Sequence, residues 1–129
     1  QMFITGPDVV RAVTGEEITQ NGLGGADVHA ETSGVAHFAY DDEETCLEEV
    51  RYLLSMLPSN NRENPPAHDC DDPLDRSGVA LLDLVPVDGN RPYDMHQVIE
   101  EIVDDGDYLE VHERWARNII CALARLDGK

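Results

Sequence analysis

The residue types best suited to chemistry lie close together: Gly24-Gly25, His29, Ser33-Gly34 and His37. A glycine carries no Cβ, so a ligand or an oxyanion can approach its main-chain N–H directly. Such pairs are also common in structural loops, and the spacing alone specifies no reaction; on residue types alone a structural loop is the favoured reading. A second candidate, His68-Asp69-Cys70-Asp71-Asp72, mixes soft and hard ligands at adjacent positions that seldom share one coordination sphere. Asp104-Asp105-Gly106-Asp107 lacks the spacing of a calcium loop. The pairs Glu48-Glu49 and Glu100-Glu101 read as solvated helix faces. No GxSxG, Walker, HExxH or EF-hand pattern occurs, and no metal site is expected.

The elements that position these residues follow from periodicity and punctuation. Gln1 to Thr5 reads as a short buried strand, and Gly6-Pro7-Asp8 turns the chain into a helix. Val9, Val10 and Val13 form one face of that helix, and Gly15 ends it. Asn21 to His37 reads as a glycine-rich loop. Asp41 and Asp42 cap the clearest helix, with Glu43 and Glu44 in its first turn. Cys46, Leu47, Val50, Leu53, Leu54 and Leu57 give it an apolar stripe before Pro58 stops it.

Residues 59–92 read as a linker rich in turn signals, with Val79 to Val85 a brief strand or turn. Asp94, with Gln97 three residues on, opens a helix striped by Met95, Val98, Ile99, Ile102 and Val103. Tyr108 to Val111 is extended or a turn, and Asn118 to Leu126 reads as a strand. Asp127-Gly128 is a strong hairpin-turn dipeptide. A start inside a strand, and a hairpin turn with no second strand, point to a piece of something longer.

Composition narrows the partners. The 129 residues hold 27 acidic and 9 basic side chains, a formal charge of -18, and 41% are apolar, enough for a core. Phosphate-rich surfaces repel such a chain, so neither nucleic acid nor an anionic membrane is expected as a partner. No run of about 18 apolar residues and no signal-peptide pattern is seen, which gives a cytoplasmic expectation. Cys46, Cys70 and Cys121 are odd in number and widely spaced, which argues for reduced thiols. Fifteen acids are Asp and the single Lys is Lys129; a salt-adapted source and an Asp- and Arg-biased genome both account for this.

Several longer strings resemble one family. Met2-Phe3-Ile4-Thr5-Gly6-Pro7-Asp8-Val9-Val10, Val13-Thr14-Gly15-Glu16-Glu17, Leu23-Gly24-Gly25-Ala26 and Ser33-Gly34-Val35-Ala36-His37 are similar to the carboxyltransferase (β) subunit of biotin-dependent acyl-CoA carboxylases. Leu53-Leu54-Ser55-Met56-Leu57-Pro58-Ser59-Asn60-Asn61 and Arg91-Pro92-Tyr93-Asp94-Met95-His96 continue the resemblance, which is nearest to the propionyl-CoA carboxylase branch and loosens over residues 62–85.

The resemblance implies an α/β, crotonase-like (ClpP/crotonase) ββα superhelix, here incomplete. Residues 1–58 would end the N-domain, 59–92 would form the interdomain linker, and 93–129 would start the C-domain. It implies carboxyl transfer from carboxybiotin to the α-carbon of propionyl-CoA or a related short acyl-CoA. Biotin would be carried on a biotin carboxylase or biotin carrier subunit, and the parent subunit would form a homo-hexamer. Paired main-chain amides would stabilise the enolate, from loops outside this chain, so no catalytic side chain is expected within it and the chain alone is expected to be inactive. Gly24, Gly25, His29, Ser33, Gly34 and His37 are carried over as cleft-lining residues. A transcarboxylase or a sodium-pumping acyl-CoA decarboxylase shares these motifs. A non-catalytic interaction module, with its two helical stripes buried against partners, is the alternative of another class.

Overall fold

Local signals account for most of the helices. In the computed structural model, which describes residues 1–73 and 75–129, helix α1 spans Pro7–Thr14 with Pro7 in its first turn. Gly15, at φ 75°, caps its C-terminus in the left-handed conformation that glycine adopts at little cost. Helix α2 (Gln20–Gly24) follows, then a π-helical turn over Val28–Thr32. Helix α3 spans Glu43–Met56, and Asp42 accepts hydrogen bonds from Thr45 N and Thr45 Oγ1, both at 2.8 Å. Helix α4 is Val79–Leu84 and helix α5 is Met95–Glu100. A 3₁₀ turn at Asp104–Gly106 leads to strand β1 (Tyr108–Val111), which pairs with β2 (Cys121–Ala124) in a two-stranded sheet. Among the described residues no helix is long and apolar enough to cross a membrane.

Two compact units result. One gathers residues 1–46 and 111–121; the other gathers 47–110 and 122–129. Among the described residues the buried apolar side chains are Ala30 in the first, and Met56, Val103 and Leu109 in the second. Cores this small leave much of the ordering to polar contacts.

Three expectations are corrected. Residues 1–5 form no strand and are exposed: Met2 N donates to Gly24 O at 2.8 Å, one anchor point where a strand needs a ladder. Val79–Leu84 is a helix, since Leu81 N donates back to Gly78 O and Val85 N to Leu81 O. Part of the glycine-rich passage is helical, as described below. The α3 stripe forms as expected, but Leu47, Val50, Leu54 and Leu57 remain exposed, an apolar face of the kind that is normally covered.

The larger unit is tied at its ends by side chains that bond main chain. Asp127 and Gly128 both have positive φ, 56° and 71°, and Leu126 and Lys129 exchange two backbone hydrogen bonds around them. This is the two-residue turn read from the dipeptide. The Asp104 carboxylate accepts from Gly128 N at 2.7 Å and Asp127 N at 2.9 Å. Those amides, Gly128 first, hold its pKa below the ordinary value. Arg76, within the expected linker, pairs with Asp72 at 3.1 Å and donates to the carbonyls of Glu101 and Val103. The segment around Arg76 is therefore fastened to the end of α5.

At the other end of α5, Asp94 caps the helix by accepting from His96 N at 3.0 Å, one residue short of the Gln97 spacing. The His96 ring lies 2.8 Å from Asp94 Oδ1 and 3.0 Å from Glu110 Oε2. Two carboxylates, Asp94 first, raise the imidazole pKa above its ordinary 6.5.

Both ties predict pH behaviour in the intact protein. The folded imidazole of His96 holds its proton more tightly than the unfolded one. Its stabilisation is therefore complete below pH about 6.5 and fades as pH rises through the raised pKa. Melting temperature is expected to fall as pH rises above about 6.5, and H96Q is expected to flatten that fall; an unchanged slope in H96Q contradicts the ion-pair account. Asp104 acts in the opposite sense, stabilising above the ordinary carboxylate range and losing that effect as pH drops below it. D104N, which cannot accept on both side-chain atoms, is expected to lower the melting temperature at pH 7 by about 2–4 °C.

Candidate functional site

The six residues singled out from sequence all lie in the first unit. Thr19 starts α2 by accepting from Gly22 N at 3.0 Å, and Gly25 N closes it on Asn21 O at 2.8 Å. The passage is helical here because that cap supplies what the glycines lack in propensity. Gly24 and Gly25 are buried, and each has a reason to be glycine. A Cβ at Gly24 would strike Met2 O, and one at Gly25 would lie 2.6 Å from Asn21 O. Gly34 has φ 64°, and a Cβ there would lie 2.6 Å from the Trp115 indole. What approaches these glycines closely is the protein's own chain.

The π-helical turn then brings His29 and Ser33 together. Ser33 N donates to Val28 O, five residues back, at 3.0 Å. His29 Nδ1 lies 2.9 Å from Ser33 Oγ, and its Nε2 lies 2.6 Å from Met2 O. A ring nitrogen facing a carbonyl oxygen must carry hydrogen, so Nε2–H donates to Met2 O and Nδ1 meets the serine hydroxyl. Both nitrogens are thus engaged, and His29 pins the segment to the start of the chain. His37 is exposed, and its ring stacks on His112 at 4.3 Å between centroids with a 22° interplanar angle.

Sequence reasoning missed the residues that hold this passage from the other side. His112 Nε2 donates to Gly34 O at 3.0 Å and His112 N donates to His37 O at 3.0 Å. Trp115 lies against Gly34, with its ring 5.5 Å from His112. Arg114 Nη2 donates to Asp27 Oδ1 at 2.7 Å and Arg114 Nε to Glu31 Oε1 at 2.9 Å. The Gly34–His112 contact spans 78 positions and the Arg114–Asp27 contact 87, too far for any local periodicity to reveal them. The one available signal was composition: His112-Glu113-Arg114-Trp115 contains the chain's single tryptophan.

In the second unit, the two acidic runs read separately from sequence meet. His68, Asp69 and Cys70 share a recess of about 360 Å³ with Asp104, Asp105, Asp107 and Arg125. Among the described residues, no three His, Cys, Asp or Glu side chains are grouped so as to hold a metal ion. The Asp72 amide pulls the Cys70 thiol pKa down, but burial and the Asp104 and Asp105 carboxylates outweigh it and leave the pKa raised. A thiol in that state is a poor nucleophile. Beside it, burial and the Asp107 carboxylate raise the pKa of the Tyr52 hydroxyl. This recess is a structural junction.

Known proteins resemble the chain throughout its length. It is 51% identical over 129 residues to methylmalonyl-CoA decarboxylase subunit alpha of Veillonella parvula, covering all of this chain and 25% of that protein. It is 50% identical over 127 residues to the propionyl-CoA carboxylase carboxyltransferase subunit of Haloferax mediterranei, covering 98% of this chain and 25% of that one. Among solved structures, transcarboxylase 12S, a hexamer solved with methylmalonyl-coenzyme A and methylmalonic acid bound, superposes with a TM-score of 0.95 at 43% identity. That match covers the whole chain and 25% of the 12S chain. The chain thus spans about a quarter of the length of the relatives it matches. Residues 1–129 match the carboxyl transferase domain family from end to end, and the chain belongs to that family.

Proposed function

We propose that this chain is the central quarter of a carboxyltransferase subunit that moves a carboxyl group between biotin and the α-carbon of a short acyl-CoA, propionyl-CoA first. The observation that carries the reading is the unbroken match over 129 residues to proteins that handle this chemistry, by sequence and by backbone. In the proposed parent, the crotonase-like ββα superhelix is completed outside this chain. Residues 1–58 close the first domain, 59–92 link the two, and 93–129 open the second. The exposed stripe of α3 is covered there by the rest of the subunit or by a second copy, in keeping with the hexamer described for transcarboxylase 12S. Biotin arrives on a carrier or biotin carboxylase subunit, in the cytoplasm.

The six residues form wall in this proposal and do not hold the biotin ring. Gly25 N–H is committed to Asn21 O, so it is not free to serve as an oxyanion donor. No step of the transfer is assigned to these residues. Their work is to shape the cleft: His29 and Ser33 fix the bend, and His37 presents an exposed ring at its edge.

A methylmalonyl-CoA decarboxylase or transcarboxylase parent shares the same half-reaction, and the matches of 51% and 50% favour the decarboxylase and the carboxylase equally. The shared step is tested by incubating the full-length protein with methylmalonyl-CoA and free biotin. Biotin-dependent formation of propionyl-CoA is expected, and its absence overturns the reading. Addition of a biotin carboxylase, ATP and bicarbonate then separates the parents, since a carboxylase alone is expected to run forward to methylmalonyl-CoA at a useful rate. H29Q is expected to leave kcat within about five-fold of the natural protein; a general acid or base would lose roughly 10²- to 10⁴-fold.

A further inference from the structure

We propose that Arg114 is a positioning residue, which holds segment 27–37 in the conformation that the candidate cleft uses; its effect on substrate rests on the carboxyltransferase reading, while its effect on the segment does not. Three observations in the first unit support this. Arg114 grips two carboxylates, Asp27 just before the π-helical turn and Glu31 inside it, with Glu31 contacted from both Nε and Nη2. The turn needs such help, because π-helical turns are rare within ordinary helical geometry. Asp27 makes no capping bond with its own side chain, and two like charges one turn apart repel when nothing neutralises them.

Arg114 is itself held in place by strain. His112 and Ala116 flank it at φ 63° and 52°, a region non-glycine residues enter only where surroundings impose it. Those surroundings are visible: His112 is bonded to Gly34 O and His37 O, Trp115 N donates to His112 O, and Ile119 N donates to Ala116 O. The segment is thereby clamped at both ends. Charge fixes Asp27 and Glu31, while His112 and Trp115 fix Gly34 and His37. His29 and Ser33, two of the six residues assigned to the cleft wall, lie between those anchors.

The full-length protein carrying R114Q or R114K tests this. Amide hydrogen exchange in peptides covering 27–37 is expected to accelerate severalfold in R114Q, with peptides of α3 (47–56) unchanged. KM for the acyl-CoA is expected to rise roughly three- to five-fold with kcat within about two-fold, the scale of an exposed ion-pair network acting on binding alone. That KM difference is expected to shrink as salt is raised, because screening weakens the pair in the natural protein. R114K, which keeps the charge and loses the fork, is expected to lie between. Unchanged exchange in 27–37 overturns the proposal. So does faster exchange in 27–37 and 47–56 alike, or a fall in kcat with KM unmoved. If R114Q does not fold, the same readouts on R114K decide. If the natural protein transfers no carboxyl group, the functional reading fails by itself and the exchange measurement alone decides the role of Arg114.

Discussion

The amide hydrogens of Asp127 and Gly128, turned by two successive left-handed residues, converge on the Asp104 carboxylate, and much of the larger unit is organised around that point. Asp104 N donates to Arg125 O, so the turn after α5 is tied to the end of β2. His68 N donates to Gly128 O, which draws residues 59–92 onto the same turn. Gly128 is buried, and a Cβ there would collide with His68 O, so the turn accepts a single residue type at that position. With Met56, Val103 and Leu109 as the unit's buried apolar side chains, main-chain bonds of this kind carry much of its order.

The smaller unit follows the same logic with different groups. Imidazoles and a guanidinium take the place of the carboxylate: His112 and Arg114 act on a carbonyl and on acids of the segment between Gly24 and His37, and His29 within that segment holds Met2 O. This alters the meaning of the glycines. Their freedom is used to admit Met2, Asn21 and Trp115.

What was legible in the sequence was what is decided locally. The proline and glycine that bound α1, the aspartate that starts α3 and the dipeptide at 127–128 all act within four residues of themselves. Val79–Leu84 was misread because a short apolar run carries no period of its own, and Gly78 N-terminal to it was the only hint of a start. Residues 1–5 were misread because strand-forming composition is not a strand without a neighbour to bond. The segment from Asp27 to His37 drew attention through its glycines and histidines, yet the side chains that hold it did not, since His112, Arg114 and Trp115 reach it from positions 75 or more residues away. Family membership was legible for another reason: long ordered strings survive where spacing rules say nothing.

The fit of Trp115 against Gly34 has a consequence for how such chains can diverge. The indole occupies the space that any side chain at 34 would need, so the order of changes is constrained. A larger residue at 34 needs the ring at 115 already reduced, and still carries the strain of φ 64°. A lineage that reduces the ring first must pass through an intermediate with an unfilled gap beside His112. The two positions are therefore expected to drift as a linked pair, so that either one alone is a poor guide to kinship.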